Sequence, residues 1–287
     1  DKLALSAADI VVTEAGFGSD MGAEKFMHIK AATSGKSPDC VVMNVTIRSM
    51  KLHGGAFGSR GGYRPSKEEL ETENIDAVAI GAATNLDRHI RNMAGFGVPV
   101  IVSINKFASD TDGEIKALSD AAHASGAKAV TITEVHARGG EGGEDLAKAV
   151  VKAVQDHVAA GRPFTPLFVD DAPIMEKVQA IAIRMYKAKD VNVESSAKKQ
   201  LDKIISWGYG NLPVCMAKTQ YSFSHDAGKL GAPSDFTLPV REFRLNSGAG
   251  FIVAILGNMM TMPGLPKRPA AIDMDMDDDG NQTGIFG

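Results

Sequence analysis

A chain of 287 residues with 44% hydrophobic and 23% charged side chains is predicted to be globular, with room for about two domains and a core that needs no disulfides. Its net charge of −4 gives no support to a nucleic acid or an anionic membrane as partner, and no apolar run approaches the ~20 residues that span a bilayer. Because the two cysteines, Cys40 and Cys215, form no CxxC pair, we expect neither a disulfide framework nor a zinc site, and we predict a reducing, cytoplasmic location.

Short apolar runs alternate with longer amphipathic stretches in the first part of the chain. The runs, which predict strands, cover residues 10–13, 40–47, 98–104 and 129–133. The stretches, which predict helices, cover residues 74–96, 112–125 and 143–160. This alternation is typical of βαβ units, and strands that are apolar at nearly every position indicate helices on both faces. We therefore predict an α/β domain over residues 1–162, with a mostly parallel sheet and flanking helices.

The character of the sequence changes near Gly161-Arg162-Pro163, and we predict a smaller α/β region over residues 163–287. Its predicted helices and strands cover residues 174–187, 195–206, 212–217, 236–245 and 251–256. The end of the chain is rich in Pro, Gly and Asp, which predicts an acidic tail along the surface. Asp275 opens a spacing like that of a calcium loop, but Phe286 stands where a bidentate Glu is required, so no metal is expected.

Candidate ligand-binding side chains follow several of the predicted strands, at the sheet edge where α/β proteins bind ligands. After strand 10–13, the turn around Phe17 fails as a dinucleotide fingerprint, because Met21 stands where Gly is required. The turn is therefore either purely structural or the wall of a site. Cations that could meet phosphate or carboxylate oxygens follow two other strands, as Arg48, Lys51, His53 and Lys218.

Residues 105–111 after strand 98–104 allow a nucleotide-binding alternative. Asn105 and Lys106 resemble the base-reading loop of GTPases, but Asp110 falls too late for that pattern. The only Gly-Lys-Ser string, at residues 35–37, lacks the glycine that a P-loop needs five positions earlier, where Lys30 stands. A GTPase is therefore the less favoured reading of an α/β core without a P-loop.

Three segments together identify a family. They read Val-Thr-Ile-Arg-Ser-Met-Lys-Leu-His-Gly-Gly at residues 45–55, Leu-Pro-Val-Cys-Met-Ala-Lys-Thr-Gln-Tyr-Ser-Phe-Ser at 212–224 and Met-Met-Thr-Met-Pro-Gly-Leu-Pro at 259–266. The chain resembles formate–tetrahydrofolate ligase from Ala7 to Phe286, but the likeness reaches only the C-terminal half of that family's polypeptide. The resemblance implies a P-loop NTPase-like core without its P-loop segment, and we interpret the start of the chain at Asp1 as a cut.

The resemblance also implies an activity: ATP-dependent ligation of formate to tetrahydrofolate, giving 10-formyltetrahydrofolate through formyl phosphate. It implies ATP with Mg²⁺, a monovalent cation as a further cofactor, and a homo-oligomer. An N-terminal P-loop half, on the same or a separate chain, would be the missing partner, and the isolated chain would be inactive without it. The alternative is a non-catalytic folate-binding or assembly module.

The site residues follow from the same resemblance, which leaves the catalytic residues unassigned. Phe107 resembles one face of the folate clamp, although it could instead pack into the core. His136 stands where the family usually has Trp, so it is either a smaller stacking partner or a solvent-facing histidine. Phe17 would be an apolar wall of the folate pocket. Nucleotide contacts are expected from Ser247, Gly248, Ala249 and Lys218, and phosphate or formate contacts from Arg48, Lys51 and His53.

Overall fold

The computed structural model describes residues 1–58, 65–257, 267–278, 280 and 282–284. The chain divides into two compact units, Asp1–Gly257 and Asn258–Gly287. The segment at 259–266 that carries part of the family resemblance lies outside the described residues, as do Asp279 and Phe286 of the calcium-like spacing. The predicted boundary at residue 162 stays a prediction.

The first part of unit one contains ten helices and three strands among its described residues. The helices are α1 (Lys2–Ala7), α2 (Ala23–Lys25), α3 (Ala31–Ser34), α4 (Ile47–His53), α5 (Lys67–Glu71), α6 (Ile75–Gly81), α7 (Asp87–Ala94), α8 (Asp112–Ala124), α9 (Val135–Arg138) and α10 (Glu144–Ala159). The strands are β1 (Val41–Val45), β2 (Val100–Asn105) and β3 (Ala129–Thr133). The remaining helical turns are π turns at Gly18–Gly22, Phe26–Lys30 and Ala82–Leu86 and a 3-10 turn at Gly139–Gly143.

The three strands form a parallel sheet in the order β1-β2-β3, which confirms the predicted α/β fold. All residues of the central strand β2 up to Ile104 are buried, as its continuous apolar run predicts. Helices α7, α8 and α10 pack against this sheet. The core continues from Val100 and Val102 of β2 to Ile90 of α7 and Leu118 of α8.

The strand predicted at residues 10–13 is not formed in the structure, so that prediction is wrong. The segment joins none of the described sheets. Its apolar side chains lie in the open, with Ile10 57% and Val12 90% exposed. An apolar run becomes a strand only when a neighbouring strand satisfies its backbone, and none of the described strands lies beside this one.

The second part of unit one carries the smaller sheets. Its elements are α11 (Ile174–Ala180), which continues as a π turn at Ile181–Met185, β4 (Asp190–Val193), α12 (Ser195–Ser206), β5 (Val214–Ala217), β6 (Thr237–Val240), β7 (Glu242–Asn246) and β8 (Phe251–Ile255). Strands β4 and β6 pair in parallel, while β8 pairs in parallel with β5 and antiparallel with β7. The predicted strand 236–245 is thus two strands that belong to different sheets.

In the second unit, the described residues contain a 3-10 turn at Ala270–Ile272 and the antiparallel pair β9 (Asp275–Met276) and β10 (Gln282–Thr283). Across the described part of the chain, no helix is both long and apolar enough to cross a membrane.

Two glycines set the position of α4, the helix that follows β1. A β-carbon added to Gly54 would lie 1.8 Å from the carbonyl oxygen of Ala77, and one added to Gly81 would lie 2.1 Å from that of Met50. Only glycine permits such a close approach of two backbones. Helices α4 and α6 are therefore held together, and Thr46 caps the start of α4 by accepting the Ser49 N–H at 3.1 Å.

Candidate functional site

The carboxyl ends of the three parallel strands bring three predicted site residues to one edge of the sheet. Val45 of β1 is in register with Ile104 of β2, and Ile104 is in register with Ile132 of β3. Arg48 stands three positions after Val45, and Phe107 stands three positions after Ile104. His136 follows β3 on the other side of β2. The loop that carries Phe107 therefore lies between the elements that carry Arg48 and His136.

Phe107 sits in a turn with a fixed backbone. Its N–H donates to Asp110 Oδ2 at 2.8 Å, and the Asp110 N–H donates back to the Phe107 carbonyl at 3.0 Å. The Phe107 ring is half-buried, and the Arg48 guanidinium carbon lies 4.1 Å from its centroid. The turn thus presents a partly accessible aromatic ring that carries a cation on one face.

Two buried polar atoms beside this ring have no hydrogen-bond partner among the described residues: Ser109 Oγ and Asp110 Oδ1. Burial raises the pKa of Asp110, although the Phe107 N–H and the charges of Lys51 and Arg48 act in the opposite direction. The turn therefore holds unused hydrogen-bonding capacity next to its aromatic ring.

His136 is exposed on the short helix α9. The residue before this helix, Glu134, links it to the neighbouring loop, with Glu134 Oε1 3.5 Å from Lys106 Nζ and Oε2 3.5 Å from Arg138 Nη1. Gly142 lies so close that an added β-carbon would be 2.5 Å from the Glu134 backbone. The elements that carry Phe107 and His136 are thus joined through one carboxylate.

The helix that follows this glycine-rich turn does not offer a bare positive end to an anion. Glu144 and Asp145 occupy the first turn of α10, and Glu141 stands just before it. Acidic side chains at this position already complement the helix dipole. An anionic group of folate would meet carboxylates here.

Lys51 lies inside the fold, with 1% of its side chain exposed. Its ammonium group donates to the carbonyls of Leu70 at 3.1 Å and Thr72 at 2.8 Å, and it pairs with Glu114 at 2.8 Å. Burial alone would raise the pKa of Glu114, but hydrogen bonds from Lys51 and from the N–H groups of Asn74 and Thr111 lower it. All three donors of Lys51 are therefore used by the protein.

His53 ends α4 and is half-buried. Its Nδ1 accepts the Gly231 N–H at 3.2 Å, so the proton of the neutral ring is on Nε2. Burial lowers the pKa of His53 to about 4, with the charge of His89 acting in the same direction and that of Asp20 opposing it. The ring is neutral at pH 7.

Phe17 is 71% exposed and leads into a tight turn in which Gly18 adopts a φ of +81°. The turn is held in place by Asp20, whose Oδ2 accepts a hydrogen bond from Lys218 Nζ at 2.5 Å. Lys218 is fully buried, and it also donates to the carbonyls of Ser222 and Thr219. Burial lowers the pKa of Lys218, while Asp20 opposes that shift. Lys218 thus ties the Phe17 turn to the loop after β5.

Sequence reasoning missed a serine–histidine pair formed by Ser19, which belongs to the turn after Phe17. Ser19 Oγ lies 2.7 Å from His89 Nδ1, which also accepts the Ser19 N–H at 3.1 Å, and Asn92 Nδ2 donates to Ser19 Oγ at 3.1 Å. Burial lowers the pKa of His89. Ser19 and His89 are 70 residues apart in the sequence, so no local pattern could have found the pair.

Ser247, Gly248 and Ala249 form the exposed turn between β7 and β8. The Ala249 N–H donates to the Asn246 carbonyl at 3.1 Å, and Gly250 adopts a φ of +74°. Apart from its two chain neighbours, no described residue comes within 4 Å of a β-carbon added to Gly248. The backbone here is open to a flat ligand, and a tight hairpin accounts for the same geometry, so the nucleotide contact stays a prediction.

No group of three or more His, Cys, Asp or Glu side chains in the described ranges could hold a metal ion. In a comparison with protein families, a family model described as formate–tetrahydrofolate ligase matches residues 1–286. The match spans nearly the whole chain and agrees with the resemblance carried by residues 45–55 and 212–224.

Proposed function

The chain belongs to the formate–tetrahydrofolate ligase family, and we propose that its part in the family's reaction is to bind tetrahydrofolate at the carboxyl edge of β1, β2 and β3. Members of this family ligate formate to tetrahydrofolate and use ATP. One observation carries the proposal: the half-buried Phe107 ring and the exposed His136 ring follow adjacent parallel strands, and their loops are joined by Glu134.

The folate site in this proposal is an aromatic clamp. A pterin or aminobenzoyl ring stacks against Phe107, because offset stacking of aromatic rings is favourable by about 0.5–1.5 kcal/mol beyond their burial. His136 supplies the second, smaller stacking surface and a hydrogen-bond donor. Phe17 adds an apolar wall, which would give its largely exposed ring a partner.

The reaction we propose has two steps. A formate oxygen attacks the γ-phosphorus of ATP and displaces ADP, which gives formyl phosphate. N10 of tetrahydrofolate then attacks the formyl carbon, phosphate leaves, and N10 loses its proton. Both steps depend on positioning and charge stabilisation, so they need no protein nucleophile.

The nucleotide and phosphate contacts are also proposals. Backbone at Ser247, Gly248 and Ala249 lies against the adenine, and His53 offers its Nε2–H to formate or phosphate. Lys51 and Lys218 each donate to three protein acceptors, so we assign them an indirect role through the loops that they hold.

The phosphate cradle comes from elsewhere in this proposal, because the sequence contains no complete P-loop pattern. A P-loop half on the same or a separate chain supplies it, and the present chain alone does not turn over. The described residues gather no set of metal ligands, so we derive no step through a protein-bound ion, and Mg²⁺ enters with the ATP phosphates. A monovalent cation, a homo-oligomer and a cytoplasmic location are part of the same proposal.

Calorimetric titration of tetrahydrofolate into the protein tests the clamp. Phe107→Ala should weaken binding by about 1 kcal/mol, the amount typical of an aromatic pair. Tyr209→Ala is the matched control, because it removes a partly exposed aromatic ring from the loop after α12 and should bind normally. Equal affinity of Phe107→Ala and wild type would exclude the clamp.

A second experiment separates the ligase from the alternative, a non-catalytic folate-binding or assembly module. The chain is mixed with a polypeptide that carries the family's P-loop, and 10-formyltetrahydrofolate is measured with ATP and formate present. Product that depends on both polypeptides supports the ligase. Folate binding without product supports the module.

A further inference from the structure

Arg48 was a candidate ligand for phosphate or formate, but its guanidinium lies on the Phe107 ring. The guanidinium carbon is 4.1 Å from the ring centroid, well within the range of a cation–π contact. Arg48 Nε is buried and has no hydrogen-bond acceptor among the described residues. The environment of this group is therefore that of a stacked guanidinium.

The backbone brings the two side chains together. Arg48 and Phe107 follow paired, parallel strands at the same register offset from Val45 and Ile104. Arg48 lies in the first turn of α4, which is fixed by its N-terminal cap. Phe107 is fixed by its two hydrogen bonds with Asp110. Because both backbones are held, the stacking geometry does not depend on a mobile loop.

Glu71 forms an ion pair with the guanidinium of Arg48. Arg48 Nη2 lies 3.6 Å from Glu71 Oε1, and the two side chains are 29% and 35% exposed. Arg48 thus has the Glu71 carboxylate and the Phe107 ring as neighbours, and only part of it faces solvent.

We propose that Arg48 is a positioning residue for tetrahydrofolate: it covers one face of the Phe107 ring, fixes the orientation of that ring and leaves only the opposite face for the folate ring. This inference rests on the proposed function, because it assumes that folate stacks on Phe107. It assigns Arg48 to the folate clamp instead of to phosphate or formate. Lysine would keep the charge but lose the flat guanidinium surface.

A double-mutant cycle tests the inference, with tetrahydrofolate binding measured by calorimetry. Arg48→Met should weaken binding about twofold to fivefold, the fold-change that corresponds to an exposed cation–π contact. Arg48→Lys should recover part of that loss. In the Phe107→Ala background, Arg48→Met should have no further effect, because the ring that it positions is gone.

The same series of variants needs a control, and it can contradict the positioning role of Arg48. Arg91→Met removes a carboxylate-paired surface arginine from α7 and should bind tetrahydrofolate normally. Thermal unfolding of each variant shows whether the fold is kept, and Arg48→Lys stands in if Arg48→Met does not fold. An Arg48 effect of equal size with and without Phe107 would overturn positioning in favour of a direct ligand contact.

The failure of this inference differs from the failure of the proposed function. If Phe107→Ala binds tetrahydrofolate like wild type, the folate clamp itself is excluded. If Phe107→Ala weakens binding and Arg48→Met does not, the clamp stands and the role of Arg48 is overturned. Inorganic phosphate is titrated in parallel, and a loss of its binding in Arg48→Lys would likewise overturn positioning and return Arg48 to the phosphate site.

Discussion

In the proposed folate clamp, the size of the stacking surface at residue 136 decides how firmly the folate ring is held. His136 is exposed on α9. Imidazole has a smaller face than the indole that the family resemblance implies for this position. The energy of aromatic stacking grows with the area of overlap, so a larger ring here should bind folate more tightly.

We expect His136→Trp to tighten tetrahydrofolate binding by about 0.5–1.5 kcal/mol. Calorimetric titration of the variant against wild type measures the change. His123→Trp, which adds an indole at an exposed histidine near the end of α8, is the matched control and should leave the affinity unchanged. An unchanged affinity of His136→Trp would mean that this residue does not touch folate.

Buried lysines show where a residue pattern is ambiguous. Lys51 and Lys218 both follow strands, as ligand-binding cations do, yet each donates to protein acceptors inside the fold. Lys177 does the same with the carbonyls of Asp170 and Asn211. A buried ammonium needs partners because an unpaired charge is costly away from water. The sequence shows that a lysine follows a strand. It does not tell whether the ammonium group of that lysine binds a ligand or a carbonyl of the same chain.

The close contact between helices α4 and α6 positions Arg48, which belongs to α4. We expect Gly81→Ala to lower the free energy of unfolding by about 3 kcal/mol, because its β-carbon would lie 2.1 Å from the Met50 carbonyl oxygen. Urea unfolding measures the loss. Gly140→Ala should change stability by less than about 0.5 kcal/mol, because no described residue outside its own turn comes within 4 Å of the added carbon. Equal effects in both variants would contradict the close packing of α4 on α6.

The strands show what sequence periodicity can and cannot give. β2 was predicted because its apolar run is continuous, which is what burial on both faces requires. Residues 10–13 have a similar run but no partner among the described strands. The strand β4 at Asp190–Val193 was missed because four residues are too few for a periodic pattern to be recognised. Pairing is a long-range property, so a local apolar pattern cannot decide it.

At the scale of the whole molecule, topology is what makes the candidate site recognisable. The sequence predicted that Arg48, Phe107 and His136 follow strands of one parallel sheet, and the structure puts those strands side by side in the order β1-β2-β3. The stacking of Arg48 on Phe107 could not be predicted, because it depends on the register of β1 with β2. The pairing of Ser19 with His89 likewise depends on tertiary packing and left no local signal.

Packing across the whole of unit one also controls how its stability depends on pH. Burial lowers the pKa of His53 from 6.5 to about 4, and it lowers the pKa of His89 as well. Between pH 6.5 and pH 4 the unfolded chain therefore binds more protons than the folded protein. The contribution of His53 to the free energy of unfolding therefore falls as the pH falls through this window, because the proton bound by the unfolded state favours unfolding.

His53→Asn isolates this effect, since asparagine can still accept the Gly231 N–H but does not titrate. Urea unfolding of both proteins between about pH 7 and pH 4 gives the difference in stability, in which the shared titration of the carboxylates cancels. We expect wild type to lose stability relative to His53→Asn as the pH falls, because only wild type carries the histidine that is kept neutral by burial. Parallel curves would mean that His53 titrates alike in the folded and unfolded chains, and that its contact with Gly231 does not exclude its proton.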